Sequence, residues 1–169
     1  LKTKIIADTE TPVSTLLKIS VNQEYSFLLE SVEGGEQRGR FSLLGCDPDL
    51  IWSVKNNDVK LKSIDDKIKI NEINNFNPLG TLKNLLNISK IKNNDLEIPY
   101  PILVGYLGYP MIQYIEKIKL DNHDNLNLPE AMMIRPKIAA VFDNIKDSIT
   151  IMTTVYTNNN IDAEKAYAN

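Results

Sequence analysis

The sequence predicts an α+β fold, in which antiparallel β-hairpins form a sheet or sandwich with a few packed helices. Three observations predict it. Short apolar runs recur between turn residues, around 27–29, 41–44, 50–55 and 138–142. Val59-Lys60-Leu61-Lys62 alternates apolar and charged, the mark of a strand with one wet face. Two segments headed by proline, after Thr11 and after Asn77, carry apolar residues at helical spacing.

The elements follow in order. Thr11 is a natural N-cap and Pro12 suits the first helical position, where its missing N–H costs nothing. Val13, Leu16 and Leu17 share a face, so the spacing predicts an amphipathic helix over 12–19. Residues 26–45 read as strand, tight turn, strand. Phe27-Leu28-Leu29 has the length of a buried strand, Gly34-Gly35 supplies the turn, and Phe41, Leu43 and Leu44 resume the apolar pattern. Asp47-Pro48-Asp49 reads as a turn. A second hairpin sets Trp52 and Val54 against Val59 and Leu61 across Asn56-Asn57-Asp58. Asp65-Asp66 turns the chain before the alternating Lys67-Ile68-Lys69-Ile70.

Asn77-Pro78 opens a second helix with the stripe Leu79, Leu82, Leu85 and Leu86. Residues 90–97 are polar and expected to be exposed. An apolar strand follows at 102–109, where Gly105 and Gly108 suggest a bend or a close backbone approach. Pro110 starts a short helix carrying Met111, Ile112, Ile115 and Ile118. Residues 121–127, with the sole histidine His123, read as a mobile loop. Ala131 to Ile134 starts a strand, Arg135-Pro136 marks a bend, and 138–142, the turn 143–147 and 148–156 form the clearest hairpin. Asp162-Ala163-Glu164 begins a last helix.

Composition narrows the function. The chain has 169 residues, 43% hydrophobic and 24% charged, with a net charge of −3. Those values suit one soluble globular domain, and the acidic balance argues against a nucleic-acid surface. No apolar stretch approaches the roughly 18 residues of a membrane span, and no signal peptide opens the chain. Cys46 is the sole cysteine, which excludes an internal disulfide and fits a reducing, cytoplasmic setting. There is no phosphate-binding loop, no His/Cys cluster for a metal and no acid–base constellation. No catalytic or metal-ligating residue is therefore assigned.

One place does carry chemistry. Glu30 and Ser31 follow the first strand of the 26–45 hairpin, and Arg38 and Arg40 return beyond its turn. A carboxylate for an ammonium and a guanidinium for a carboxylate suit a small zwitterion such as an amino acid. The same residues also fit a surface hairpin whose charges pair with each other in water.

The string Leu28-Leu29-Glu30-Ser31-Val32-Glu33-Gly34-Gly35-Glu36, with Gly39-Arg40-Phe41-Ser42 and Asp47-Pro48, resembles the N-terminal part of anthranilate synthase component I. Thr11-Pro12-Val13, Gly105-Tyr106-Leu107-Gly108-Tyr109, Arg135-Pro136 and Val141-Phe142-Asp143-Asn144 extend the resemblance in the same order, from about residue 8 to 157. Pro110 departs from it, standing where the family usually carries Asp.

The resemblance implies the N-terminal portion of a larger two-domain α/β enzyme, with residues 1–169 as its tryptophan-binding regulatory domain. It implies a lyase that makes anthranilate from chorismate and glutamine-derived ammonia, with a glutamine amidotransferase subunit, component II, as partner. Chorismate, Mg²⁺ and the catalytic residues are implied to belong to a C-terminal domain outside this chain, and the fragment alone to be inactive. The feedback inhibitor L-tryptophan is implied to sit at Leu29, Glu30 and Ser31; the hairpin charges read above add Arg40 as a further candidate charge partner. Two other readings stand beside it. One is the related aminodeoxychorismate synthase component of folate synthesis, against which the Leu-Glu-Ser-Val-Glu-Gly-Gly match speaks. The other is a stand-alone amino-acid-binding module.

Overall fold

The computed structural model describes residues 1–30, 39–63, 77–90, 102–120 and 126–154. The tight turn at Gly34-Gly35, Ser31, Arg38, the strand at 67–70, the polar stretch 90–97 beyond its first residue, most of the polar loop with His123 and the last helix lie outside the described residues. Seven strands form an antiparallel sheet: β1 (Lys2–Ile6), β2 (Ser26–Leu29), β3 (Phe41–Lys55), β4 (Asp58–Ser63), β5 (Val104–Leu107), β6 (Ala131–Asp143) and β7 (Ser148–Thr153). They pair in the order β1-β7-β6-β3-β2, with β4 also on β3 and β5 also on β6. Two α-helices, α1 (Pro12–Ile19) and α2 (Pro78–Ile88), and a 3-10 helix at Tyr109–Tyr114 complete the elements. The α+β expectation holds.

The chain divides into two units, one of Leu1–Pro48 with Pro136–Asn169 and the other of Asp49–Arg135. In the first, α1 forms where its local signals put it. The Ser14 amide donates to the Thr11 hydroxyl at 3.0 Å and the Thr11 amide to the Ser14 hydroxyl at 2.9 Å, a reciprocal cap. Lys18 bonds Glu10 one turn further along, and that bond, with one from Ser14, lowers the Glu10 pKa. Leu16 and Ile19 turn inward onto a core of Leu44, Ala140, Phe142 and Ile149. The β6–β7 hairpin pairs Ile138 with Thr153 and Asp143 with Ser148, as its sequence predicts.

β1 was not foreseen. It pairs with β7, Lys2 opposite Met152, and the chain start and Thr153 exchange backbone bonds of 2.8 and 3.1 Å. Five residues with two lysines give little local signal; the strand exists because β7 offers an edge.

In the second unit, β3 and β4 meet across Asn56-Asn57, both with positive φ (51° and 64°). This is the two-residue hairpin turn that matches strand twist, and asparagine tolerates it. Trp52 opposes Leu61 and Val54 opposes Val59, the predicted register. Trp52 is fully buried with Leu50, Val54, Leu85, Met111 and Ala131. Its indole N–H donates to the Thr81 hydroxyl at 3.0 Å, which donates to the Pro78 carbonyl at 2.7 Å. Asn77 caps α2 through the Leu79 amide at 2.9 Å.

Two expected breaks are strands instead. β3 runs unbroken through Asp47-Pro48-Asp49 and β6 through Arg135-Pro136. Proline usually interrupts a central strand because it brings no N–H to the ladder. Here Asp47 takes a left-handed φ of 50° before Pro48, and the strand continues with Cys46, Pro48 and Leu50 all buried. Arg135 is buried because Asp49 neutralises it: Nε and Nη2 each donate to the carboxylate at 2.8 Å, and Nη1 donates to the Ser89 hydroxyl at 3.0 Å. Ser89 caps the C-terminus of α2, so the same guanidinium ties helix to strand.

Candidate functional site

The hairpin that carries the predicted amino-acid site is built from β2 and β3. Phe27 lies opposite Gly45, Leu28 opposite Leu44 and Leu29 opposite Leu43. Gly45 is required there. A Cβ would stand 2.7 Å from the Phe27 ring and 2.7 Å from the Ile138 carbonyl oxygen. The missing side chain lets the ring seat the strand.

Among the described residues β2 ends the strand order, an edge rather than the buried strand its apolar run suggests. Phe27 and Leu28 are half-buried, while Leu29 is 52% exposed and Glu30 is exposed. Leu29 and Glu30 therefore stand at an accessible strand end. Ser31 follows them outside the described residues.

The returning arm is held by side-chain and backbone bonds. Arg40 donates from Nε to Asp143 Oδ1 at 3.0 Å and from Nη2 to Oδ2 at 2.6 Å, a two-pronged pair, and its guanidinium lies 4.5 Å from the Phe41 ring centre. Asp143 also accepts the amides of Ile145 and Lys146 at 3.2 and 3.3 Å, the way an aspartate organises a turn. The Arg40 bond, helped by those amides and opposed by burial, pulls the Asp143 carboxyl down to about 2. The Asn144 amide donates to the Arg40 carbonyl at 2.8 Å and its side chain to the Gly39 carbonyl at 3.0 Å. The start of β3 is thus stitched to the β6–β7 turn.

Sequence reasoning paired Arg40 with a ligand or with Glu30; it missed Asp143, 103 residues away. Asp143-Asn144 was visible only as a turn.

The rest is structural. Cys46 is buried, its thiol 3.4 Å from the Ile19 carbonyl, and burial pushes its pKa up, which makes it a poor nucleophile. Tyr114 donates to Glu130 at 2.7 Å and accepts the Asn57 amide at 3.0 Å, bracing the β3–β4 turn. Burial and Glu130 push its hydroxyl up to about 12. Among the described residues, no three His, Cys, Asp or Glu side chains could hold a metal ion. None of their helices is long and apolar enough to cross a membrane.

Comparison with known proteins gives one consistent result. The chain is 38% identical to anthranilate synthase component 1 of Cereibacter sphaeroides over 98% of its own length and 33% of that protein's. It is 33% identical to the Synechocystis protein of the same name, over 97% of the chain and 32% of the relative. The crystal structure of anthranilate synthase component I from Streptococcus pneumoniae superposes with a TM-score of 0.56 at 20% identity, over 97% of the chain and 34% of that structure. That likeness shows the fold. No family model matches the chain. The chain spans about a third of the length of the curated relatives it matches.

Proposed function

We infer that this chain, which over the third of the relatives' length that it spans belongs to the anthranilate synthase component I family, is the inhibitor-binding part of an anthranilate synthase. The whole protein would convert chorismate and glutamine-derived ammonia to anthranilate and pyruvate, with a glutamine amidotransferase as component II. What supports the family part is near-complete coverage of the chain by relatives that share one name. The described residues bring together no metal-ligand group. We assign chorismate and Mg²⁺ to the remainder of the protein, as the sequence resemblance to the family implies.

The part we assign to this chain is recognition of L-tryptophan at Leu29, Glu30 and Ser31. The observation that carries it is the contrast within one hairpin. One arm is held by Arg40 and Asp143, while the other ends in an exposed leucine and an exposed carboxylate. A fixed frame with an accessible polar end can bind a ligand without first paying to order the strands. Glu30 would meet the ammonium and Leu29 the indole. Ser31 would supply a short hydroxyl, and Arg40 would fix the hairpin that presents them.

The test is the tryptophan inhibition curve of the full-length enzyme with its amidotransferase, wild type against Ser31→Phe. Loss of one charge-assisted hydrogen bond weakens binding about ten- to a hundredfold, and a phenyl ring in the inhibitor's space more. We expect kcat to be largely spared. An unchanged inhibition constant would refute the assignment. Loss of kcat with inhibition intact would make Ser31 a folding or catalytic residue.

A further inference from the structure

Among the described residues, β5 is an edge strand with no charge within it or in the two residues on either side. It pairs with β6 on one side, Gly105 opposite Met133 and Leu107 opposite Ala131. Just past its end, the Gly108 amide donates to the Glu130 carbonyl at 2.8 Å. In an antiparallel pair, alternate residues turn their N–H and C=O to the same side. With Gly108 bonded to β6, Tyr106 also points at β6, while Gly105 and Leu107 turn both backbone groups outward. Gly105 is glycine for the same reason. It sits in the closer, non-hydrogen-bonded kind of pair, and a Cβ there would stand 1.9 Å from the Met132 carbonyl oxygen.

Natural edges are guarded by charge, proline or a covering element. β4 carries Lys60 and Lys62, and β1 carries Lys2 and Lys4. β2 is itself uncharged but is flanked by Glu24 and Glu30. β5 reads Val-Gly-Tyr-Leu, with no charge and no proline. Tyr106 is 42% exposed, Leu107 49% and the adjoining Tyr109 68%. Adjacent strand residues point to opposite faces, so exposure of both Tyr106 and Leu107 leaves both faces of β5 in water.

We propose that β5 is where a strand from the two thirds of the protein outside this chain joins the sheet. The proposal rests on the reading that the chain is a segment of a longer family member, since the relatives are about three times its length. An unguarded apolar edge is retained where something permanently covers it. A strand in the same polypeptide does so at millimolar effective concentration, without depending on subunit assembly. It would pair with the outward groups of Gly105 and Leu107 and bury Leu107 and Tyr109.

Residue-resolved amide hydrogen exchange on the full-length protein tests this. With no partner subunit present, the Gly105 and Leu107 amides should exchange at least about a hundredfold slower than unprotected ones, as core strand amides do. The slowing should not vary with protein concentration. Unprotected amides overturn the proposal. So does protection that needs added amidotransferase, which assigns the edge to that subunit, or protection that grows with concentration, which assigns it to a second copy. Leu107→Pro removes one outward N–H and leaves the bonds to β6. It should abolish protection at Gly105, whereas Leu107→Ala should keep it; equal behaviour of the two counts against the added strand. Should Leu107→Pro fail to fold, the wild-type amides still decide. None of these readouts requires activity, so protected amides in a protein that forms no anthranilate would sink the functional reading and leave this one standing.

Discussion

Asp143→Asn is the substitution that most directly tests how the proposed site is held. It keeps the shape of the side chain and its contacts to the turn amides while removing the charge that Arg40 grips. In the folded protein the Asp143 carboxyl is lowered from 3.8 to about 2, with Arg40 as the largest cause. Each pKa unit corresponds to about 1.4 kcal/mol, so the charge contributes about 2 kcal/mol of local stability, given that the Asp143 side chain is 11% exposed. The Asn144 amide, bonded to the Arg40 carbonyl, reports opening of this corner. Near neutral pH in the full-length protein, its exchange should speed up about thirtyfold in the variant, while the Trp52 amide in the other unit stays as it was. The sign with pH follows from the direction of the shift. A carboxyl depressed in the folded state stabilises above its unfolded pKa, and that stability is lost as pH falls from about 4 towards 2. Wild type should therefore lose Asn144 protection over that range, after correction for intrinsic exchange, and Asp143→Asn should not. Equal exchange in the two proteins near neutral pH would refute the view that this ion pair fastens the hairpin.

Other outcomes follow from the same structure. Arg135→Met strands the Asp49 carboxylate and should destabilise the protein by about 3–5 kcal/mol in urea titration, with a large part recovered when Asp49 is also made apolar. Thr81→Val keeps the volume but takes the acceptor from the Trp52 indole; the expected cost is about 1–3 kcal/mol by the same titration. The 169-residue chain alone, mixed with chorismate, Mg²⁺ and ammonium, should form no fluorescent anthranilate above a blank, and turnover would overturn that. It should also self-associate on size-exclusion chromatography, because Ile6, Leu17 and Val21 are each more than 60% exposed in one unit and Tyr109 and Ile115 in the other. A monodisperse monomer with a sharp melting transition would count against it.

The elements that sequence reading recovered are those whose signals lie within a few residues. Thr11-Pro12 starts α1, Asn77-Pro78 starts α2, and Asn56-Asn57 makes the β3–β4 turn, each through a bond or a backbone preference spanning at most one turn. The errors have one physical origin. Pro48 and Pro136 are local stop signals, yet β3 and β6 pass through them. The burial of Arg135 depends on Asp49, 86 residues away, and β1 depends on a strand near the other end of the sequence. A preference of a few tenths of a kcal/mol to about 1 kcal/mol in the local chain yields to a ladder or a buried ion pair that tertiary contact supplies.

The candidate site divides along the same line. That the strand ends where Leu29 gives way to Glu30 was legible, because an apolar run yielding to a carboxylate needs no long-range information. The state of Arg40 was not. A guanidinium near a turn looks the same in sequence whether it waits for a ligand or is held by Asp143 across 103 residues. The difference bears on mechanism. Arg40 is bonded to Asp143, so on the proposed assignment the ligand's charge would be met by the Glu30 arm, and the Arg40 arm would set where that arm stands. Charge reversal at Glu30 should therefore alter which amino acids inhibit. Loss of Asp143 should weaken every inhibitor by a similar factor, because it loosens the frame and leaves the recognition groups in place.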